Sequence, residues 1–347
     1  MTEAIKLTRN APLRHRNTFG IEATAPWLVE INETSALPDA FDLPQVRDAP
    51  PLLLGGGSNL VFSGNPPGAV VSLRADGVRV LSDGEIARVR ADAGLPWHRF
   101  VMWSLQQGLC GLENLALIPG TVGASPIQNI GAYGSEVGHF IHHVETWDRV
   151  EQRFVRLDAE ACAFGYRDSL FKRQQDRYVI AAVEFNLPRQ RTPSVEYAGI
   201  AEELAAMGIP SPGPRDVAEA VIRIRNRKLP DTATLGNAGS FFKNPMVGSA
   251  HAEVLRAEHP GLPVFRGEDE ATRKISAAWM IDACGWKGFR EGDAGVSPEH
   301  ALVLVNHGRA TGTQLLALAR RIADSVQQRF EVAIEPEPKL VGATWQP

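Results

Sequence analysis

The stretch from Gly111 to Val137, GLENLALIPGTVGASPIQNIGAYGSEV, most constrains what this chain can fold into. Its glycines recur among hydroxyl and amide side chains at intervals that fit neither a helical nor a strand period. A loop this long in a compact domain is usually functional. Small residues interleaved with polar ones suit a backbone that lies along an extended ligand. We therefore predict a binding segment here, because a tight irregular loop would explain the glycines but not the density of amides and hydroxyls.

A second glycine-rich segment, PLLLGGGSNLVFSG, runs from an apolar strand, Pro51–Leu54, into Gly55–Gly57. Three glycines free the backbone to approach a ligand, and their N–H groups can converge on an anion. Ser58 and Asn59 add donors at the rim. The dinucleotide fingerprint that opens a helix is absent, because Val61–Phe62 follows where the helix would begin. A plain strand turn would explain the triplet equally well, but the two segments together predict a large nucleotide cofactor bound without a Rossmann motif.

Length, charge and cysteine content limit the classes of protein to which the chain can belong. A chain of 347 residues with 44% hydrophobic residues predicts two or three domains. A net charge of −4, from 36 basic and 40 acidic side chains, predicts neither a nucleic-acid nor a membrane partner. The scattered Cys110, Cys162 and Cys284 predict free thiols in a reducing cytoplasm. The N-terminus lacks the apolar core of a signal peptide, and no segment offers the roughly 20 apolar residues of a membrane span.

The histidines offer no metal-ligand spacing on a predicted helix or strand. We therefore predict no metal site, and expect hydrogen-bonded or exposed imidazoles, the adjacent His142 and His143 and the separate His300 included.

Short apolar runs rich in β-branched residues alternate with helical patterns along the chain. Strands are predicted at Ala69–Leu73, Ile86–Ala91 and Tyr178–Leu187, and helices at Pro96–Gln107, at Asp216–Lys228 and after a capping box of Thr311 and Gln314. Strands and helices do not alternate regularly, so the pattern predicts an α+β fold with several modest sheets.

Five motifs, LGGGSNLVF, IPGTVGASPIQNIGAYG, FGYRDSLFK, GNAGSFFKNP and IEPEPKLVG, occur in this order. Through these ordered motifs the chain resembles the longer form of the UDP-N-acetylenolpyruvoylglucosamine reductase family. The resemblance implies an FAD-binding region of two α+β sub-domains, of the vanillyl-alcohol-oxidase type, plus a C-terminal α+β substrate domain. The implied bounds are 1–76 with 338–347 returning to it, 77–228, and 229–337.

The resemblance also implies an activity and its residues. NADPH would reduce non-covalently bound FAD, and a hydride would pass to UDP-N-acetylglucosamine enolpyruvate, with monomeric protein favoured. The implied catalytic residues are Ser240, Arg167 and Glu337. The implied cofactor-binding residues are Gly55, Gly56, Gly57, Ser58, Asn59, Pro119, Gly120, Thr121, Gly123, Ala124, Ser125, Gly131 and Tyr133. The implied substrate-binding residues are Tyr166, Tyr197, Lys228, Asn244 and Lys287.

The chemistry of the implied reduction explains why each of the three catalytic residues would be needed. Hydride addition to an enol ether leaves negative charge beside the carboxylate, which a fixed guanidinium such as Arg167 stabilises. Glu337 would have to be protonated to donate a hydrogen bond there. Ser240 lacks the glycine of a hydrolase elbow two residues on, so we interpret it as a proton donor, assisted by Lys228 or Lys243. The phenylalanines that follow Ser240 are predicted to lie in the core.

Two rival functions remain open at this point. A flavin oxidase of the same cofactor fold would often attach its flavin through histidine or cysteine, and neither glycine-rich segment contains one. A non-catalytic UDP-sugar sensor would be expected to have lost Ser240, Arg167 or Glu337, and the chain carries all three.

Overall fold

The computed structural model describes residues 4–197, 199–267 and 269–345. The strands are β1 (Ile5–Pro12), β2 (Thr24–Ile31), β3 (Leu52–Leu53), β4 (Leu60–Phe62), β5 (Val70–Leu73), β6 (Val78–Ser82), β7 (Ile86–Asp92), β8 (Gly131–Ala132), β9 (Ser135–Glu136), β10 (Ile141–Asp148), β11 (Arg153–Asp158), β12 (Tyr178–Pro188), β13 (Gly236–Asn237), β14 (Met246–Gly248), β15 (Val264–Arg266), β16 (Thr272–Ile275), β17 (Arg290–Glu291), β18 (Ala294–Val296), β19 (Leu304–Asn306) and β20 (Lys339–Val341). The α-helices are α1 (Leu37–Asp42), α2 (Pro44–Arg47), α3 (Trp97–Gln106), α4 (Leu170–Arg173), α5 (Ile200–Ala206), α6 (Pro214–Lys228), α7 (Ser249–Glu258), α8 (Ala277–Ala283) and α9 (Gly312–Phe330).

The chain divides into two compact units. The first unit comprises the residues up to Ala11, Ala25–Gly56 and Pro67–Asn226, and the second comprises Pro12–Thr24, Gly57–Pro66 and the chain from Arg227 onward. Two short segments from the N-terminal part of the sequence thus belong to the second unit. The finer division at residues 76 and 228, with a return at 338, stays a prediction.

The first unit is built on an antiparallel sheet in the order β11-β10-β12-β7-β6. Strand β12 lies at its centre and is almost entirely buried, as its sequence YVIAAVEFNLP requires. Helix α3 packs on this sheet through Phe100, whose ring centre lies 4.8 Å from that of Phe185 on β12. A second sheet, in the order β1-β2-β5-β3, pairs β5 in parallel with both β2 and β3.

The helix and strand predictions for this unit are confirmed. Pro96 sits at the N-cap of α3, and Gly108, with φ +70°, follows its C-terminus. A left-handed residue after a helix is a place where glycine carries no Cβ penalty. Helix α6 buries Val217 and Val221 on one face. The predicted strands correspond to β5, β7 and β12.

The second unit contains sheets in the orders β13-β19-β18-β17 and β14-β16-β15, and a parallel pair, β4 with β20. Helix α9 begins with the predicted capping box. The Thr311 hydroxyl accepts the Gln314 N–H at 3.2 Å, and the Gln314 side chain accepts the Thr311 N–H at 2.9 Å. The apolar stripe predicted for this helix is buried: Leu315, Leu318, Ile322, Val326 and Phe330.

The fold is α+β, as the sequence predicts. Among the residues described, no helix combines the length and the apolar character needed to cross a bilayer.

Candidate active site

The two glycine-rich segments meet in the first unit at what we call the glycine cradle: Gly55, Gly56, Gly120 and Thr121. A Cβ built on Gly56 would lie 2.9 Å from the Gly120 Cα, and one built on Gly55 would lie 3.0 Å from the Thr121 Oγ1. Carbon atoms in contact normally stand about 3.5–4.0 Å apart. The backbones therefore approach too closely for a side chain at Gly56, which explains the glycine there.

The cradle also offers backbone donors. The Leu54 N–H donates to the Val71 carbonyl at 2.8 Å, which completes the ladder of this strand. Beyond it, within the described part of the chain, the N–H groups of Gly55, Gly56 and the Gly120–Thr121 pair donate to no protein acceptor. Backbone N–H groups gathered in this way form an anion-binding concavity. The residues present therefore fit a diphosphate group.

The rest of the segment Gly111–Val137 is fixed by contacts with neighbouring residues of the first unit. The Gly123 N–H donates to the Ala93 carbonyl at 2.9 Å, and a Cβ on Gly123 would lie 2.5 Å from that of Ala93. Ser125 is buried, and its hydroxyl donates to the Val122 carbonyl at 2.7 Å. These contacts fix the shape of the loop. Direct contact of Pro119, Gly123, Ala124 and Ser125 with a cofactor stays a prediction.

The third glycine of the triplet, Gly57, belongs to the second unit, and its position requires glycine for a different reason. Gly57 has φ +65°, and a Cβ there would lie 1.9 Å from the Arg16 carbonyl oxygen. After Ser58, the Asn59 carbonyl accepts the Lys339 N–H at 2.9 Å, and the Asn59 amide donates to the Glu337 carbonyl at 3.4 Å. The strand that follows the triplet is thereby fixed against the segment that carries the predicted carboxylate.

Ser240 and Glu337 lie on neighbouring segments of the second unit. The Glu337 N–H donates to the carbonyl of Phe241, the residue after Ser240, at 2.8 Å. Gly239, with φ +68°, turns the chain just before Ser240, which is half-buried. Phe241 and Phe242 are 0% and 1% exposed, so their predicted place in the core is confirmed. The serine is thus presented on a well-anchored backbone beside the glutamate.

Two lysines predicted to contact the substrate, Lys228 and Lys287, act electrostatically on His300 in the second unit. Burial lowers the pKa of His300, and the charges of Lys228 and Lys287 lower it further. The His300 Nδ1 accepts the Leu302 N–H at 3.2 Å, and the Leu302 carbonyl accepts the Phe241 N–H at 2.7 Å. The His300 imidazole is thus linked through Leu302 to Phe241, the residue after Ser240, and feels the charges of both lysines. Sequence spacing did not reveal His300 as part of this group.

Other predicted side chains are engaged inside the same unit. The Lys243 ammonium lies 3.3 Å from a carboxylate oxygen of Glu335. The Asn244 side-chain oxygen accepts the Ala277 N–H at 3.0 Å, at the start of α8. Asn244 therefore anchors this helix, and its predicted substrate contact remains untested.

Arg167 lies in the first unit, on the loop that leads to α4. Its guanidinium donates to the Gly131 carbonyl at 2.9 Å and stands 5.8 Å from the ring centre of Tyr166. Its backbone has φ +52°, a left-handed conformation that is uncommon outside glycine and costs conformational energy. The loop thus holds Arg167 in a strained position, which is a feature of functional sites.

Tyr133, Tyr197 and Arg225 form a cluster in the same unit. The rings of Tyr133 and Tyr197 meet edge to face, with centres 5.5 Å apart. Burial raises the pKa of Tyr133, which is hydrogen-bonded to Arg225. Burial also lowers the pKa of Arg225, and the charge of Arg167 lowers it further. Two guanidinium groups whose charges act on each other favour an anion as their shared partner.

Arg225 was missed in the sequence, although a pattern could have revealed it. It continues the i, i+4 row of Val217 and Val221 on α6, which the helix buries. An arginine in a buried row of this kind needs a partner, because an isolated buried charge is costly.

The predicted residues therefore fall into two groups. Arg167, Gly131, Tyr133, Tyr166 and Tyr197 belong to the first unit, together with the glycine cradle. Ser240, Glu337, Lys228, Asn244 and Lys287 belong to the second unit.

Comparison with known proteins finds a family match in each half of the chain. Residues 26–153 match the family described as FAD binding domain, and residues 230–341 match the family described as UDP-N-acetylenolpyruvoylglucosamine reductase, C-terminal domain. A solved structure of UDP-N-acetylenolpyruvylglucosamine reductase from Thermus caldophilus aligns with a TM-score of 0.66 at 27% identity, covering 97% of this chain and 98% of that one.

Curated relatives named UDP-N-acetylenolpyruvoylglucosamine reductase align over nearly the whole chain. The protein from Xanthomonas euvesicatoria pv. vesicatoria is 58% identical over 98% of this chain and 97% of its own. The protein from Xylella fastidiosa is also 58% identical, with the same shares of the two chains. Identity of this extent shows that the chain belongs to the UDP-N-acetylenolpyruvoylglucosamine reductase family.

Proposed function

We propose that the protein is an FAD-dependent reductase that uses NADPH to convert UDP-N-acetylglucosamine enolpyruvate into UDP-N-acetylmuramate, a step in making peptidoglycan precursors. The observation that carries this proposal is the pairing of the Ser240 segment with Glu337 in the second unit, where the Glu337 N–H donates to the Phe241 carbonyl at 2.8 Å. A hydroxyl and a carboxyl held on adjoining segments suit protonation of a substrate at one face.

The glycine cradle and its surroundings would hold FAD without a covalent bond. The N–H groups of Gly55, Gly56, Gly120 and Thr121 are available to the diphosphate. Arg225, whose pKa burial lowers, is a second source of positive charge in the first unit. When bound, FAD supplies the hydride.

Side chains of the protein then stabilise the negative charge that develops on the substrate and supply the proton. Hydride addition to the terminal carbon of the enolpyruvyl group leaves negative charge spread onto its carboxylate, which Arg167 stabilises with a fixed guanidinium. The Gly131 carbonyl orients that guanidinium. The Glu337 carboxyl, on the segment beside Ser240, takes part in stabilising the same charge, and the Ser240 hydroxyl gives its proton to the adjacent carbon.

The lysines of the second unit suit the diphosphate of the uridine nucleotide. Lys228 and Lys287 flank His300, which their charges help to keep neutral. Because Lys243 is paired with Glu335, we assign assistance of the Ser240 alkoxide to Lys228. Tyr166, Tyr197 and Asn244 complete the proposed substrate contacts, with Tyr197, 49% exposed, free to cover the uridine.

The test is product analysis. Purified protein reconstituted with FAD is incubated with NADPH and the enolpyruvyl sugar nucleotide, and mass spectrometry follows the substrate. A product heavier by two hydrogen atoms, formed with one NADPH oxidised per substrate, supports the proposal. An unchanged substrate with continued consumption of NADPH and oxygen would favour a flavin oxidase instead.

The same proposal places the protein in the cytoplasm, where its nucleotide substrates are made, as a monomer of two FAD-binding sub-domains and a substrate domain. Light scattering of the flavin-loaded protein tests the monomer. A mass of twice 37.7 kDa would contradict it.

A further inference from the structure

A side-chain cluster on the five-stranded sheet of the first unit has no part in the proposed reaction. It consists of His142 and His143 on β10 and Glu184 on β12. One ligand atom from each lies within 4.8 Å of the ligand atoms of the others. These are ligand types that zinc-like ions take in proteins.

A β-bulge creates the cluster. Ile141 pairs with Phe185 and His143 pairs with Glu184, so β10 advances two residues while β12 advances one. His142 is the extra residue. Neighbouring side chains on a regular strand point to opposite faces, whereas a bulge re-aims one of them. The two imidazole rings consequently stand side by side, with centres 4.1 Å apart.

Both histidines offer a ring nitrogen to a metal ion in this geometry. Burial lowers the pKa of His142, and the neighbouring His143 lowers it further. Burial and the charge of Arg156 lower the pKa of His143. Neutral imidazoles are the form that ligates metal ions. The His143 Nδ1 is buried and, within the described residues, has no hydrogen-bond partner.

Glu184 supplies the charge. Its side chain is 3% exposed, and Arg156 binds it with two hydrogen bonds. Metal binding would require Arg156, whose side chain is 47% exposed, to turn toward solvent and release one carboxylate oxygen. The fixed carboxylate argues against an anion as the ligand of this cluster.

The surrounding charges do not exclude a divalent cation. The charged side chains that act on the two histidines are Arg88, Arg156, Asp158 and Glu184. Two arginines thus face two carboxylates.

We propose that His142, His143 and Glu184 form a binding site for one zinc-class divalent ion, with water as the fourth ligand, which crosslinks β10 to β12. Two imidazoles and one carboxylate with an open position are an ordinary tetrahedral zinc set. The site is separate from the glycine cradle and from Ser240 in the sequence, and does not depend on the proposed reaction.

The test is calorimetric titration of untagged, flavin-loaded protein with zinc chloride. We expect one ion per chain and a higher thermal midpoint with zinc. His142→Asn and His143→Asn should each weaken binding by about tenfold or more, and Glu184→Gln should weaken it too. The matched control is His139→Asn, because His139 is exposed and lies just before β10.

A spectroscopic measurement protects the test against variants that fail to fold. The electron paramagnetic resonance spectrum of the unaltered protein with one equivalent of Cu²⁺ should show coupling to two imidazole nitrogens. Absence of stoichiometric zinc binding would overturn the proposal. So would binding that His142→Asn and His143→Asn leave unchanged while both remain folded, or a copper spectrum without nitrogen coupling.

Discussion

Replacing Gly56 by alanine tests the glycine cradle most sharply. A Cβ at this position would lie 2.9 Å from the Gly120 Cα, which is backbone and cannot rotate away. Ordinary carbon contacts stand at about 3.5–4.0 Å, so the two segments must separate by roughly 1 Å. Overpacking of this kind costs about 1–3 kcal/mol. If the cofactor needs the closed cradle, the same free energy is lost from binding, which is roughly a fivefold to 150-fold weaker affinity for FAD.

The assay is titration of flavin-free Gly56→Ala protein with FAD, followed by flavin fluorescence, alongside urea unfolding of the same protein. Gly84→Ala is the matched control, because Gly84 lies in the same unit and a Cβ there meets no atom within 4 Å. The control should bind FAD normally. Wild-type affinity for FAD in a folded Gly56→Ala protein would refute the assignment of the cradle to the cofactor.

Three further outcomes are expected. Ser240→Ala should leave reduction of the flavin by NADPH intact and slow reoxidation of the flavin by the enolpyruvyl substrate by about 10²–10⁴-fold. Anaerobic stopped flow measures both steps, with Ser249→Ala as the control. Equal slowing of both steps would contradict the role of Ser240 as proton donor. Asp148→Asn should lower stability at neutral pH, and the loss should shrink as the pH falls toward 2. Hydrogen bonds from Arg177 lower the pKa of Asp148, so its contribution is present above the unfolded pKa and is lost as pH falls through the folded one; urea unfolding from pH 2 to 7 checks this, and an unchanged profile would refute it. Thr311→Ala, which removes the cap of α9, should cost about 1 kcal/mol in the same assay; no loss would mean that water replaces the cap.

Local features were predictable where neighbouring residues determine them. Pro96 and Gly108 bracket α3 because of their own backbone preferences, and the capping box of Thr311 needs only Gln314 three residues on. The motifs also led to the cofactor and the family. The bounds of the sub-domains and the roles of the individual site residues remain predictions.

Features made by long-range contacts were out of reach. No local pattern shows that Gly56 stands against Gly120, or that the Arg16 carbonyl excludes a side chain at Gly57. The histidine pair was dismissed because a metal site was sought by spacing along a regular element. A one-residue bulge, which depends on how β10 pairs with β12, brings His142 and His143 together instead.

The central claim is that the protein passes electrons from NADPH through FAD to the enolpyruvyl sugar nucleotide. The most direct measurement is the visible absorbance of the flavin-loaded protein under anaerobic conditions, with NADPH added first and UDP-N-acetylglucosamine enolpyruvate second. The account predicts loss of the flavin absorbance with NADPH and its return when the substrate is added. Absorbance that stays bleached after the substrate is added, or protein that takes up no FAD, would contradict it.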